Sequence, residues 1–61
     1  MRDYRVLVTY RDPRAGVWYG PQEDADAAHA RYAAECERIA RGGVLSVLLT
    51  RSGVIVAQAT C

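Results

Sequence analysis

Residues 42–61 read GGVLSVLLTRSGVIVAQATC, two apolar runs parted by Arg51-Ser52-Gly53. Strand-forming residues on both sides of a Ser-Gly step predict a β-hairpin. If Arg51-Ser52-Gly53 is a three-residue loop, Gly53 takes the left-handed position that this loop class wants. The cross-strand pairs are then Leu49 with Ile55, Val47 with Ala57 and Leu45 with Ala59, six apolar residues on one face. The opposite face pairs Thr50 with Val54, Leu48 with Val56 and Ser46 with Gln58. A two-residue loop, Ser52-Gly53, sets Gln58 against Val47 and spoils the clean face. A buried face specifies register strongly, so the three-residue loop is expected.

A hairpin apolar on both faces needs two covers. Upstream, residues 4–11 (YRVLVTYR) alternate with Tyr4, Val6, Val8 and Tyr10 on one side and Arg5, Leu7, Thr9 and Arg11 on the other. Asp12-Pro13 suits the start of a type I turn. Gly16 suits a left-handed bulge residue, and Val17-Trp18-Tyr19 returns as a short strand. Residues 4–19 thus form a first hairpin.

Gly20-Pro21 ends that strand and opens the single helix, with Pro at the first helical position. Glu23, Asp24 and Asp26 cluster at its start, and Arg38 and Arg41 at its end, which matches the helix dipole. Gly42-Gly43 supplies the left-handed stop. Ala25, Ala28, His29, Tyr32, Cys36, Ile39 and Ala40 share one face at the helical period. Asp26, Arg31, Glu37, Arg38 and Arg41 share the other.

The order strand-strand-helix-strand-strand, with a right-handed crossover over the first strand, places strand three antiparallel beside strand one. The expected fold is α+β: one domain over residues 1–61, a four-stranded antiparallel sheet of order 2-1-3-4, and one helix on one face. Against the helix fall Val6, Val8, Leu45, Val47, Leu49, Ile55, Ala57 and Ala59. Leu7, Thr9, Val44, Ser46, Leu48, Val54 and Val56 are left on the uncovered face.

Five aliphatics on one open face exceed what monomers usually show. Burying each is worth roughly 1.5–3 kcal/mol, which is large beside the stability of a small domain. A chain of 61 residues is marginal alone and commonly gains a disulfide, a metal or an oligomeric contact. One His and two widely spaced Cys make a poor metal set. A Cys36–Cys61 disulfide is conceivable, but in a cytoplasmic chain the pair reads as free thiols. The oligomeric route is favoured. A homodimer formed by the uncovered face or by a sheet edge is expected, and a different protein partner is the variant of that reading. The interface residues are Leu7, Val44, Leu48, Val54 and Val56, with Trp18 as an aromatic anchor.

The competing reading is a nucleic-acid-binding dimer using Arg5, Arg11, Arg14 and Arg51 beside Tyr4, Tyr10, Trp18 and Tyr19. All eight basic residues are Arg and none is Lys, while Ala is abundant. That bias follows from a GC-rich genome. A net charge of +1 provides no long-range field toward a polyanion.

No catalytic motif is present, and no cofactor is expected. His29 lies seven residues from Cys36, about 10 Å along a helix, too far for a Cys–His pair. It reads as a helix-boundary ring packing on its neighbours. Glu23, Asp24, Asp26, Glu35 and Glu37 read as exposed complements to the helix dipole. A non-enzymatic protein is therefore expected. No stretch approaches the ~20 apolar residues of a membrane span and no leader pattern opens the chain, so a cytoplasmic location is expected.

The stretch YRVLVTYRDPRAGVWYGP with the Ala-rich helix after it resembles small uncharacterised proteins of GC-rich actinobacteria and their phages. Those share a strand, a turn, a Trp/Tyr-Gly-Pro step and an alanine-rich helix. This resemblance implies a phage or bacterial accessory protein with no defined activity. The same half is similar to the N-terminal arm-binding module of phage integrases, which implies DNA contact through the sheet. That likeness ends at Gly42, since the module has no second apolar hairpin. Neither assigns a role to any residue.

Overall fold

The computed structural model describes residues 2–60. The elements are β1 (Tyr4–Tyr10), β2 (Val17–Tyr19), α1 (Ala25–Arg41), β3 (Val44–Arg51) and β4 (Val54–Thr60). The sheet runs β2-β1-β3-β4, and each neighbouring pair is antiparallel. This is the expected α+β architecture. Cys61, and with it any account of a Cys36–Cys61 pair, lies outside the described residues.

The first turn forms as its residues dictate. The Asp12 side chain accepts from the Arg14 N–H at 3.0 Å, and the Asp12 carbonyl from the Ala15 N–H at 3.0 Å. Gly16 has φ 67°, and its carbonyl accepts from Tyr10 at 3.1 Å. β1 and β2 then pair Leu7 with Tyr19, Val8 with Trp18 and Thr9 with Val17.

The helix begins four residues later than Pro21, at Ala25, with Asp24 as its N-cap. Residues 21–24 run extended because Glu23 is drawn to the start of β1: Glu23 and Tyr4 exchange backbone hydrogen bonds of 2.8 and 3.2 Å. The C-terminal end is as expected, with Gly42 at φ 88° and its N–H donating to Ile39.

The core is Val6, Val8, Ala28, Val44, Val47 and Leu49, all buried. Tyr4, Tyr10, Trp18, Tyr32, Cys36, Ile39 and Ala57 pack around it. Val6, Val8, Val47, Leu49 and Ala57 match the expected inner face. Two β-bulges change the rest.

The first bulge lies at the start of β3. Val44 pairs with Tyr10 and Ser46 with Thr9, which leaves Leu45 as the extra residue. An extra residue on one strand breaks the two-residue alternation. Val44 therefore turns inward to 1% exposure, and Leu45 turns out to the surface. Both assignments from simple alternation are reversed.

The second bulge follows the Ser52-Gly53 turn. Ser52 has φ 50° and Gly53 φ 84°, so the turn has two residues of the type I′ kind that suits the twist of a hairpin. Arg51 pairs with Val54 and Thr50 with Ile55, and then Leu49 pairs with Ala57 and Val47 with Ala59. Val56 is the extra residue. The expected three-residue loop is thus replaced by a shorter turn plus a bulge. The bulge restores Val47, Leu49, Ala57 and Ala59 to one face, so the conflict that argued against the short loop disappears. Ile55 pairs on the Thr50 side, and it is exposed rather than held beneath the helix.

Candidate functional site

Register sorts the open sheet face into three rows. The middle row is Tyr19-Leu7-Leu48-Gln58. One flanking row is Val17-Thr9-Ser46-Thr60. The other is Arg5-Thr50-Ile55. Leu7 and Leu48, two of the expected interface residues, sit side by side at its centre, half-buried by their neighbours. The face is mixed, with Thr, Ser, Gln and Arg between the apolar side chains. It is not the aliphatic sheet that alternation implied.

Three other expected interface residues lie elsewhere. Val44 is in the core. Trp18 pairs with Val8 and so lies on the helix side, packed against the core with the Arg31 guanidinium 5.4 Å from its ring centroid. Val54 is the cross-strand neighbour of Arg51, whose guanidinium covers the Tyr4 ring at 5.8 Å. Tyr4 packs on the core, so Val54 belongs to the helix side, beyond the helix's cover.

Three of the exposed large apolar side chains instead fall together on one element. Val54, Ile55 and Val56 are 65%, 52% and 51% exposed. β4 is bonded to β3 on one side only, so its other side presents free N–H and C=O groups. Its sequence, VIVAQAT, has no charge and no Pro, so of the usual devices that block pairing at an edge it carries only the bulge at Val56. The opposite edge, β2, has only three residues and ends at Gly20-Pro21.

The helix is rotated from the expected face. His29 and Ala40 are exposed, whereas Arg31 and Glu35 are half-buried. Glu23 and Trp18 cause this by offering Arg31 a partner on the sheet side. Its Nε donates to both Glu23 oxygens at 3.0 and 3.2 Å, and one terminal nitrogen donates at 2.7 Å. The hydrogen bonds from Arg31 hold the Glu23 carboxyl below its ordinary value, and the carboxylate raises Arg31 in return. Such a fork-shaped pair adds direction as well as energy. Glu23 and Glu35 are therefore not the exposed carboxylates expected of them.

The His29 Nδ1–H donates to the Ala25 carbonyl oxygen at 2.7 Å, and its ring stands 5.8 Å from that of Tyr4. This is the packing role expected of it. Cys36 is half-buried beside Tyr32, whose hydroxyl is pushed up by burial and by the thiol. Among the described residues no group of His, Cys, Asp and Glu could hold a metal ion, and no helix is long and apolar enough to cross a membrane.

The four candidate nucleic-acid arginines do not converge. Arg5 is on the open face. Arg51 is on the helix side, bonded to Asp3 at 3.3 Å. Hydrogen bonds from Arg51 and Ser52 overcome the effect of burial and hold Asp3 below its ordinary value. Arg11 donates to the carbonyl of the helix cap Gly42 at 2.6 Å. Arg11 and Arg14 belong to the far end of β1, about 20 Å along the strand from Arg5. No family model, curated protein or solved structure matches the chain.

Proposed function

We propose that the chain is a non-enzymatic interaction module that pairs with a second copy of itself through the free edge of β4. The observation that carries this reading is the uncharged, Pro-free edge with Val54, Ile55 and Val56 more than half exposed. The bulge at Val56 divides the strand, and the regular stretch Ala57–Thr60 is the part suited to a new ladder. Antiparallel pairing of two such edges joins two four-stranded sheets into one of eight strands. A stable interface takes about 800 Å² per partner, about a fifth of the 4111 Å² that one chain exposes. The ladder alone is too narrow for that, so the side chains of Val54–Val56 add to it. In a cell such a dimer would act as an accessory or adaptor protein of a phage or bacterium, in keeping with the resemblance of its N-terminal half.

Sedimentation equilibrium over the micromolar range tests this. Twice the chain mass is expected, and Val56→Lys should return the chain to monomer with unchanged far-ultraviolet circular dichroism. Val56 has no ladder partner on β3, so the substitution spares the fold. A wild-type chain that stays monomeric at all concentrations refutes the reading. Salt-sensitive retardation of DNA or RNA by that monomer would put the arginine reading in its place.

A further inference from the structure

We infer that the open face carries a second, separate site: a concavity around Arg5 that binds a carboxylate borne on a compact apolar group. The concavity measures about 270 Å³ and is lined by Asp3, Arg5, Leu7, Tyr19, Gln22 and Thr50, closed by the Gly53 turn. It lies at the Arg5-Thr50 end of the face, on strands β1 and β3, the end of β2 and the Gly53 turn that leads into β4.

Three observations set the ligand's chemistry. Charge comes first. Arg31 and Arg51 have carboxylate partners, but Arg5 forms no ion pair among the described residues. Its Nε is sealed from solvent with no hydrogen-bond acceptor. That leaves the two terminal nitrogens, which are not sealed in this way, to grip a carboxylate at the concave surface with two parallel hydrogen bonds.

Neighbouring polarity comes second. The Asp3 carboxylate is taken by Arg51 and Ser52, at 3.3 and 3.2 Å. That ion pair is neutral as a whole, so Arg5 supplies the one uncompensated charge beside the concavity. That balance suits a singly charged carboxylate and disfavours a phosphate dianion. Thr50 spends its proton on the Arg5 carbonyl at 3.2 Å, which fixes the backbone beneath the guanidinium.

Size and apolar lining come third. Leu7 and Tyr19 are directly paired and wall the side opposite the charge. Ligand sites commonly hold roughly 300–1,000 Å³, so a volume just under that range admits a compact group such as one aromatic or branched side chain. The shared chemistry fits both a small free carboxylic acid and the terminal carboxylate of a peptide.

Amide chemical shifts of the labelled chain, titrated with three probes, test this. The probes are N-acetyl-phenylalanine, its neutral amide, and a short peptide ending in phenylalanine with a free terminus. The free acid should move Arg5, Leu7, Tyr19 and Thr50, and the amide should not. Tighter binding of the peptide assigns the site to a chain terminus, and tighter binding of the acid assigns it to a small molecule. Arg5→Gln should weaken binding about tenfold or more. Arg5→Lys keeps the charge but loses the fork, and should weaken binding less. If Arg5→Gln does not fold, the Lys variant and the acid–amide contrast in the wild type still decide. Equal responses to acid and amide, shifts confined to other residues, or wild-type affinity in the Lys and Gln variants overturn the inference. The site belongs to one chain, so it stands or falls separately from dimerisation.

Discussion

Gly20→Ala tests how the short edge strand is tied to the rest of the fold. A Cβ at residue 20 would stand 2.8 and 3.0 Å from two ring carbons of Trp18 and 3.1 Å from the Val6 carbonyl oxygen. The neighbouring backbone has no room to yield, because the Gly20 N–H donates to that same Val6 oxygen at 2.9 Å. Trp18 must therefore move. It lies under Arg31, which Glu23 holds with three hydrogen bonds. Overpacking of this kind costs about 1–3 kcal/mol. Loss of the glycine's freedom in the unfolded chain returns about 0.4–1 kcal/mol. The net expectation is a destabilisation of about 1–2 kcal/mol. In a domain this small each kcal/mol shifts Tm by roughly 4–8 °C, so Tm should fall by about 5–15 °C. Urea titration followed by fluorescence gives a direct reading, since Trp18 is the chain's single tryptophan. Its folded-state emission should also change as the ring leaves Arg31. Wild-type stability with an unchanged emission maximum would refute the packing argument, and higher stability would show that only the entropy of Gly20 mattered.

Two further outcomes are expected. Glu23 has its carboxyl lowered in the folded state by the hydrogen bonds from Arg31. Its contribution is therefore complete above the ordinary value of 4.5 and is lost as pH falls through the lower, folded-state value. Thermal melts of wild type and Glu23→Gln should differ at neutral pH and converge below that window; a constant gap across the range would show that Glu23 acts only through packing. Ser52 sits at φ 50°, where Asn is better tolerated than Ser. Ser52→Asn should thus recover part of the roughly 1–2 kcal/mol that the left-handed region costs an ordinary residue, and a loss in denaturant titration would show that the Ser52–Asp3 hydrogen bond outweighs the turn preference.

The amino-acid order by itself determined the element sequence, the single helix with its Gly42 stop, the sheet order, and an inner face of Val6, Val8, Val47, Leu49 and Ala57. Alternation and turn chemistry are local signals, and those residues obey them. The same signals predicted the outer face poorly. Leu45 and Val56 each add one residue to a strand, and an added residue inverts the alternation on one side of it. Nothing local marks either residue, because a bulge is chosen by what the partner strand offers. Tyr10 and the helix gain Val44 in the core at the cost of exposing Leu45. The short Ser52-Gly53 turn is reconciled with an apolar inner face by leaving Val56 unpaired. The helix followed the same logic: its apolar stripe was legible, but Glu23 and Trp18, contributed by other segments, drew Arg31 inward and turned His29 outward. The exposed edge of β4 and the unpartnered Arg5 are products of those tertiary choices. That is why the two surfaces proposed as sites emerged only once the strands were in register.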